Sequence, residues 1–191
     1  MSFLQELSSW ASPNPVTTSP APEIGSKAPS TSKLSFPSSD GKPTVITFLR
    51  HCGCPFAEKT FLSLRDLAAK DPGKNYIAVS HSSGPATTHW LSSVGGQGKV
   101  RVIVDDEREL YGKWGLGVSS TWHVLNPWSL YAVWMLGKKE NIWNKPTESG
   151  SRWQTSGSFA VGKDGLVKWD EVPKAADQVP DFGDAVRALS N

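Results

Sequence analysis

What this sequence has little of narrows it first. Two cysteines in 191 residues cannot make a secreted disulfide framework, and both fall inside one tripeptide, Cys52-Gly53-Cys54. No window approaches the ~20 consecutive apolar residues of a membrane span, so no membrane partner is expected. The N-terminus has no basic stretch leading into an apolar core, so a signal peptide is not expected and the cytoplasm is the expected compartment. Neither sign of charge dominates. Twenty Lys and Arg against 18 Asp and Glu leave a net +2 with no basic stripe, which argues against a nucleic-acid partner. At this length, a 38% hydrophobic content suffices for one buried core.

Other residue types are plentiful. From Ala11 to Ser32 the chain is rich in Pro, Ser and Thr, a composition that builds no core by itself. Residues 1–33 are therefore expected to form an arm or linker, and residues 34–191 the folded domain. Nine tryptophans are present, seven of them from Trp90 to Trp153. They suit a tryptophan-rich core with a helical cap, or an aromatic wall for an apolar ligand, and both readings stay open.

Hydrophobic patterning gives the element order. Lys33–Phe36 reads as a short edge strand stopped by Pro37. Thr44–Leu49 is a β-branched, apolar run and Ala57–Ala69 is amphipathic at helical spacing, so a strand hands over to a helix, Pro55–Lys70. Asn75–Ser80 is a second strand, Gly84 to about Val94 a second helix, Val100–Val104 a third strand, and Glu107–Trp114 a short helix. Val118–Gly150 breaks the alternation and is expected to be a helical insertion. Gly157–Gly162 and Leu166–Asp170, joined by Lys163-Asp164-Gly165, form a hairpin. Asp181–Leu189 is a closing helix. The fold class is α/β, ordered βαβαβα–insertion–ββα, with parallel pairing among the first three strands.

The chemistry concentrates where the first strand meets its helix. Pro55 suits the first helical position, making Cys54 the expected N-cap, its sulfur beside the free N–H groups and positive dipole end. A free thiol of pKa ~8.5 is only about 3% ionised at neutral pH. A helix N-terminus near a cation makes thiolate the major form, and Arg50 and His51 are the candidate cations. Ligands in open α/β sheets sit beyond the carboxyl ends of the parallel strands, which brings His81, after the second strand, to the same edge. Cys52 either resolves an oxidised Cys54 or points into the core as an inert thiol, and the sequence leaves both open. The cysteines and His51, His81, His89 and His123 lack zinc-ligand spacing, so no metal or other cofactor is expected.

The run Phe48-Leu49-Arg50-His51 through Gly53-Cys54-Pro55-Phe56-Ala57-Glu58-Lys59 resembles the peroxiredoxin-like, AhpC/TSA-type proteins of thioredoxin-like fold. So do Trp114-Gly115-Leu116-Gly117, Trp122-His123-Val124-Leu125 and Arg152-Trp153-Gln154 before Gly157-Ser158-Phe159. The resemblance spans roughly residues 24–191. It implies that Cys54 is the redox-active nucleophile, supported by Arg50, His51 and His81, with Cys52 as candidate resolving thiol. Pro55, Phe56, Trp122, His123 and Arg152 become the candidate substrate-binding residues, Arg152 because the family often keeps an arginine near that strand. The sequence departs from the family pattern: His51 and Thr47 occupy the Thr/Ser and proline places of the peroxidatic motif, and Ala57 the second cysteine of a Cys-x-x-Cys pair. The expected function is thiol-dependent reduction of a small-molecule peroxide or disulfide. Glutathione or a thioredoxin-type protein would be the reductant, and a homodimer is left open. The alternative is a thioredoxin fold reused for non-redox binding or catalysis beside the Trp122/His123 insertion.

Overall fold

A computed structural model describes residues 9–10, 16–119 and 127–190. Ten elements follow one another: β1 (Thr44–Phe48), α1 (Pro55–Lys70), β2 (Asn75–Ser80), α2 (Gly84–Ser93), β3 (Arg101–Val104), α3 (Glu109–Lys113), α4 (Pro127–Glu140), β4 (Gly157–Val161), β5 (Val167–Glu171) and α5 (Phe182–Ala188). The strands form one five-stranded sheet in the order β3-β2-β1-β4-β5. β1 pairs in parallel with β2, and β2 with β3. β4 runs antiparallel to β1 and to β5. This is the βαβαβα–insertion–ββα order read from periodicity.

β1 is central and buried on both faces, which is why its sequence is continuously apolar or β-branched. Its side chains divide by the two-residue period of a strand. Val45 joins Phe61, Leu64, Tyr76, Ala78 and Trp90 in the layer beneath α1. Ile46 and Phe48 join Ile77, Val79, Tyr111, Trp114 and Phe159 in the opposite layer. Thr47, a hydroxyl in an apolar strand, bonds to Ser158 across the sheet at 2.8 Å, so its burial leaves no unmet polar group. In the hairpin, Gly165 takes φ +76°, and Gly162 N–H donates to the Leu166 carbonyl, closing the turn that Asp164-Gly165 announced.

One expectation needs correction. Lys33–Phe36 is not a strand. The segment folds back on itself, Thr31 N–H donating to the Leu34 carbonyl and Phe36 N–H to Ser30 Oγ, so its backbone groups are met locally rather than by a sheet edge. The tryptophans divide: Trp114 and Trp90 are buried in the core, whereas Trp128, Trp134 and Trp143 are 77%, 50% and 43% exposed.

Residues 16–28 lie along the domain. Ser19 N–H donates to the Gly112 carbonyl, Gly25 N–H to that of Val167, Ala28 N–H to that of Gly165, and Val167 N–H to that of Ser26. Among the described residues no helix is long and apolar enough to cross a membrane.

Candidate active site

α1 begins soon after β1 ends, and the six residues between them, Leu49 to Cys54, carry the site. Cys54 is the N-cap of the 16-residue helix, Pro55 fills its first turn, and the cap makes no side-chain hydrogen bond. Cys54 N–H donates to the His51 carbonyl, and Glu58 N–H donates to that of Cys54. The sulfur is therefore carried at the helix N-terminus without being tied to it.

Cys54 opens on a cavity of about 220 Å³, which Arg50, His51, Pro55, Phe56 and Arg152 also line. Six of the ten residues singled out from the sequence thus share one space. Arg50 is 5% exposed. Its Nη2 donates to the Arg152 carbonyl at 2.7 Å, while Nε and Nη1 have no partner among the described residues. Arg152 is held by its Nε donating to Ser9 Oγ at 3.1 Å and by its guanidinium standing 4.7 Å from the ring centre of Trp10. Two buried guanidinium groups set the sign of this cavity. His51 adds no charge: burial, then the neighbouring Arg50 and Arg152, hold its pKa well below the usual imidazole range. Its Nδ1 lies 3.0 Å from Thr147 Oγ1.

Cys52 faces elsewhere. It lines a second cavity of about 230 Å³ with Gly53, Ala86, Trp90 and Pro146, and with His89, Lys145 and Glu148. Its sulfur lies 3.7 Å from Ser80 Oγ, its N–H donates to Ser82 Oγ, and burial pushes its thiol pKa up. Both cysteines are free thiols. Gly53 between them has φ +130°, and a Cβ there would stand 2.8 Å from the Lys145 carbonyl oxygen. Only glycine suits that conformation and that close approach. Lys145 N–H in turn donates to the Gly53 carbonyl, so the chain at 145–146 lies against Gly53 and lines the Cys52 cavity, while Asn144 lines that of Cys54.

His81 does not line the Cys54 cavity. Ser80 turns its hydroxyl to Cys52, and strand alternation sends His81 to the other side, against the Tyr111 ring at 5.4 Å. There Ser151 N–H donates to its Nε2 at 3.1 Å, and burial lowers its pKa to about 4. It is neutral at pH 7 and supplies no cation. Trp122 and His123 lie outside the described residues, although α4, from the same insertion, reaches the Cys54 cavity through Ser129 and Val133. Trp10, Ser129, Val133, Asn144 and Ala176 also line it and were not anticipated. Each arrives by a long-range contact with no local signature. Among the described residues no cluster could hold a metal ion.

The chain belongs to the AhpC/TSA antioxidant enzyme family, whose model matches residues 63–174. The matched stretch begins after Cys54. A comparison with curated proteins gives no match. Solved structures share the fold. A peroxiredoxin-like protein from Aquifex aeolicus superposes with a TM-score of 0.59 at 16% identity, covering 91% of this chain and 89% of that one. A thiol peroxidase from Chromobacterium violaceum gives 0.55 at 14%, covering 91% and 90%. Peroxiredoxin 6 of Arenicola marina gives 0.54 at 17%, covering 78% and 60%. At such identities the likeness speaks for the thioredoxin-like, peroxiredoxin-type fold.

Proposed function

We propose that this protein reduces a small-molecule peroxide through Cys54, with an external thiol as reductant. The observation that carries the reading is the arginine-lined cavity at the start of α1, into which Cys54 opens. A thiolate there gains from the helix dipole and from two guanidinium groups. It attacks one peroxide oxygen; the S–O bond forms, the O–O bond breaks, and the leaving alkoxide or hydroxide takes up a proton. Cys54 becomes a sulfenic acid, oxidised by two electrons, and the peroxide becomes an alcohol or water. Arg50, with Nε and Nη1 uncommitted among the described residues, supports the charge that builds on the leaving oxygen.

A thiol from solution, glutathione or a thioredoxin-type protein, then attacks the sulfenic sulfur and releases water. A second thiol frees Cys54 from the mixed disulfide. Cys52 is an unpromising resolver, because it faces a separate cavity and its raised pKa keeps it protonated. A reducing compartment such as the cytoplasm supplies the thiols.

The test is peroxide consumption with glutathione, or with thioredoxin and its reductase, in wild type, Cys54→Ser and Cys52→Ser. Mass spectrometry after trapping with a sulfenic-acid reagent locates the oxidised sulfur. The expected result is loss of turnover and of trapping in Cys54→Ser only. Turnover that survives Cys54→Ser, or trapping at Cys52, overturns the reading.

A further inference from the structure

The cavity that Cys52 faces is unused by the chemistry of Cys54. It measures about 230 Å³, larger than the roughly 150 Å³ apolar void that takes up a benzene molecule. Small residues leave the room: Ala86 on α2, and Gly53, whose place admits no Cβ because the Lys145 carbonyl oxygen stands 2.8 Å from it. Around them stand Pro146, the Cys52 sulfur and Trp90, the last held in the core with its ring 5.1 Å from that of Phe61. The polar groups of the cavity are already engaged. His89 Nδ1 lies 2.8 Å from Glu148 Oε1, Lys145 Nζ donates to Glu58 Oε2 at 2.8 Å, and the Ser93 hydroxyl donates to the Trp90 carbonyl. The Cys52 sulfur brings no charge either, since burial raises its pKa and keeps it a thiol.

We propose that this cavity is a binding site for a small uncharged aromatic molecule, about one ring in size, distinct from the site at Cys54. Charge decides the first property. An anion would find Lys145 and His89 committed to carboxylates, and a cation would find Glu148 committed to His89, so either would lose its water without gaining a counter-ion. The walls decide the second. A flat, polarisable ring packs well against an indole and against sulfur, and it fills the space beside Ala86 and Pro146 with little conformational freedom to lose. Occupancy also bears on the chain at 145–146. Those residues line the cavity, and Lys145 N–H is bonded to the Gly53 carbonyl. Opening them would dismantle the site, so an occupant favours the closed form by mass action.

The inference stands on the Cys52 cavity and does not depend on the peroxidase reading. Acetophenone is the probe, with benzoate and benzylammonium as charged counterparts of similar size, and calorimetry on the full chain measures all three. Acetophenone is expected to bind, and each ion to bind at least about tenfold more weakly, as loss of hydration without a counter-ion demands. Cys54→Ser leaves Cys52 as the one free thiol. In that variant, saturating acetophenone should slow labelling by methyl methanethiosulfonate at least about tenfold, the reagent being shut out of an occupied cavity. In Cys52→Ser, labelling of Cys54 should not change. Ala86→Leu fills the cavity from α2 and should abolish both binding and protection. Ser93→Phe, at an exposed position on its edge, should do the same with less demand on the core. Unchanged far-UV circular dichroism shows that each variant is folded. No binding of acetophenone to the wild type overturns the proposal, as does binding that a folded Ala86→Leu or Ser93→Phe leaves intact. So does benzoate or benzylammonium binding as well as acetophenone, or protection of Cys54 in place of Cys52.

Discussion

The two cysteines are one residue apart in the chain and occupy different environments. Cys54 opens on a space bordered by Arg50 and Arg152, at the N-terminus of α1. Cys52 lies among Ser80, Ser82 and the edge of Trp90, and burial disfavours its ionised form. The difference is made by Gly53 and by the backbone of residues 145–146 that packs against it. Nearness in sequence is thus a poor guide to whether two thiols act together; what matters is which cavity each sulfur faces.

The comparison is broken most directly at the sulfurs. Cys54→Ser is expected to lower peroxide turnover by more than about a thousandfold, as removal of a nucleophile does, while Cys52→Ser keeps most of it; steady-state peroxide consumption reads both. Next is the positive side of the Cys54 cavity. Arg50→Met should lower the second-order rate with peroxide by roughly ten- to a hundredfold, in line with losing one electrostatic donor, and leave alkylation of Cys52 unchanged in a timed labelling experiment.

Gly53→Ala strikes the dividing wall. A Cβ at φ +130° and 2.8 Å from a carbonyl oxygen should destabilise the fold by roughly 1–3 kcal/mol, read as a lower denaturant midpoint. It should also speed labelling of both cysteines.

Acid acts on the opposite layer, through His81. With a folded-state pKa of about 4 against an ordinary 6.5, the unfolded chain takes up a proton where the folded chain does not. The stability that the neutral ring contributes is complete above pH 6.5, drains as pH falls toward about 4, and is level below. On the order of 3 kcal/mol is at stake, and buried His51 shifts in the same sense. Denaturant titrations across that range should show the slope, and His81→Asn should flatten it. The smallest effect belongs to His89→Ala. That exposed ring pairs with Glu148 at 2.8 Å, and surface pairs of this kind contribute at most about 0.5 kcal/mol; its loss should leave the midpoint nearly unmoved.

Much of the fold was legible because its signals are local. β1 reads as continuous apolar residues, α1 as a 3.6-residue period behind Pro55, and the last hairpin as Asp164-Gly165. Arg50 and Cys54 are read together because they follow one another where β1 hands over to α1, whereas Arg152 entered only through the family resemblance. The separation of Cys52 from Cys54 was not legible, since it depends on residues 145–146, about ninety positions away. Lys33–Phe36 looked like a strand because its side chains suit one, yet Ser30 and Thr31 satisfy its backbone first. His81 seemed to belong with Cys54 by chain position, and strand alternation sent it to the Tyr111 side. The exposed rings of α4 read equally well as core, because composition cannot tell a buried aromatic from an exposed one.

The run from Lys145 to Ser151 has a consequence for motion. Beyond its bond to Gly53 it is fastened through His51 to Thr147, His89 to Glu148, Ser82 and Ser83 to Ser149 and His81 to Ser151. Fastenings so closely spaced release together, so the run should open as one cooperative unit rather than fray. Its amide protons should then exchange with deuterium at a common rate. The same rare excursion would admit large reagents to both sulfurs, so that access to two chemically unlike thiols runs on one clock.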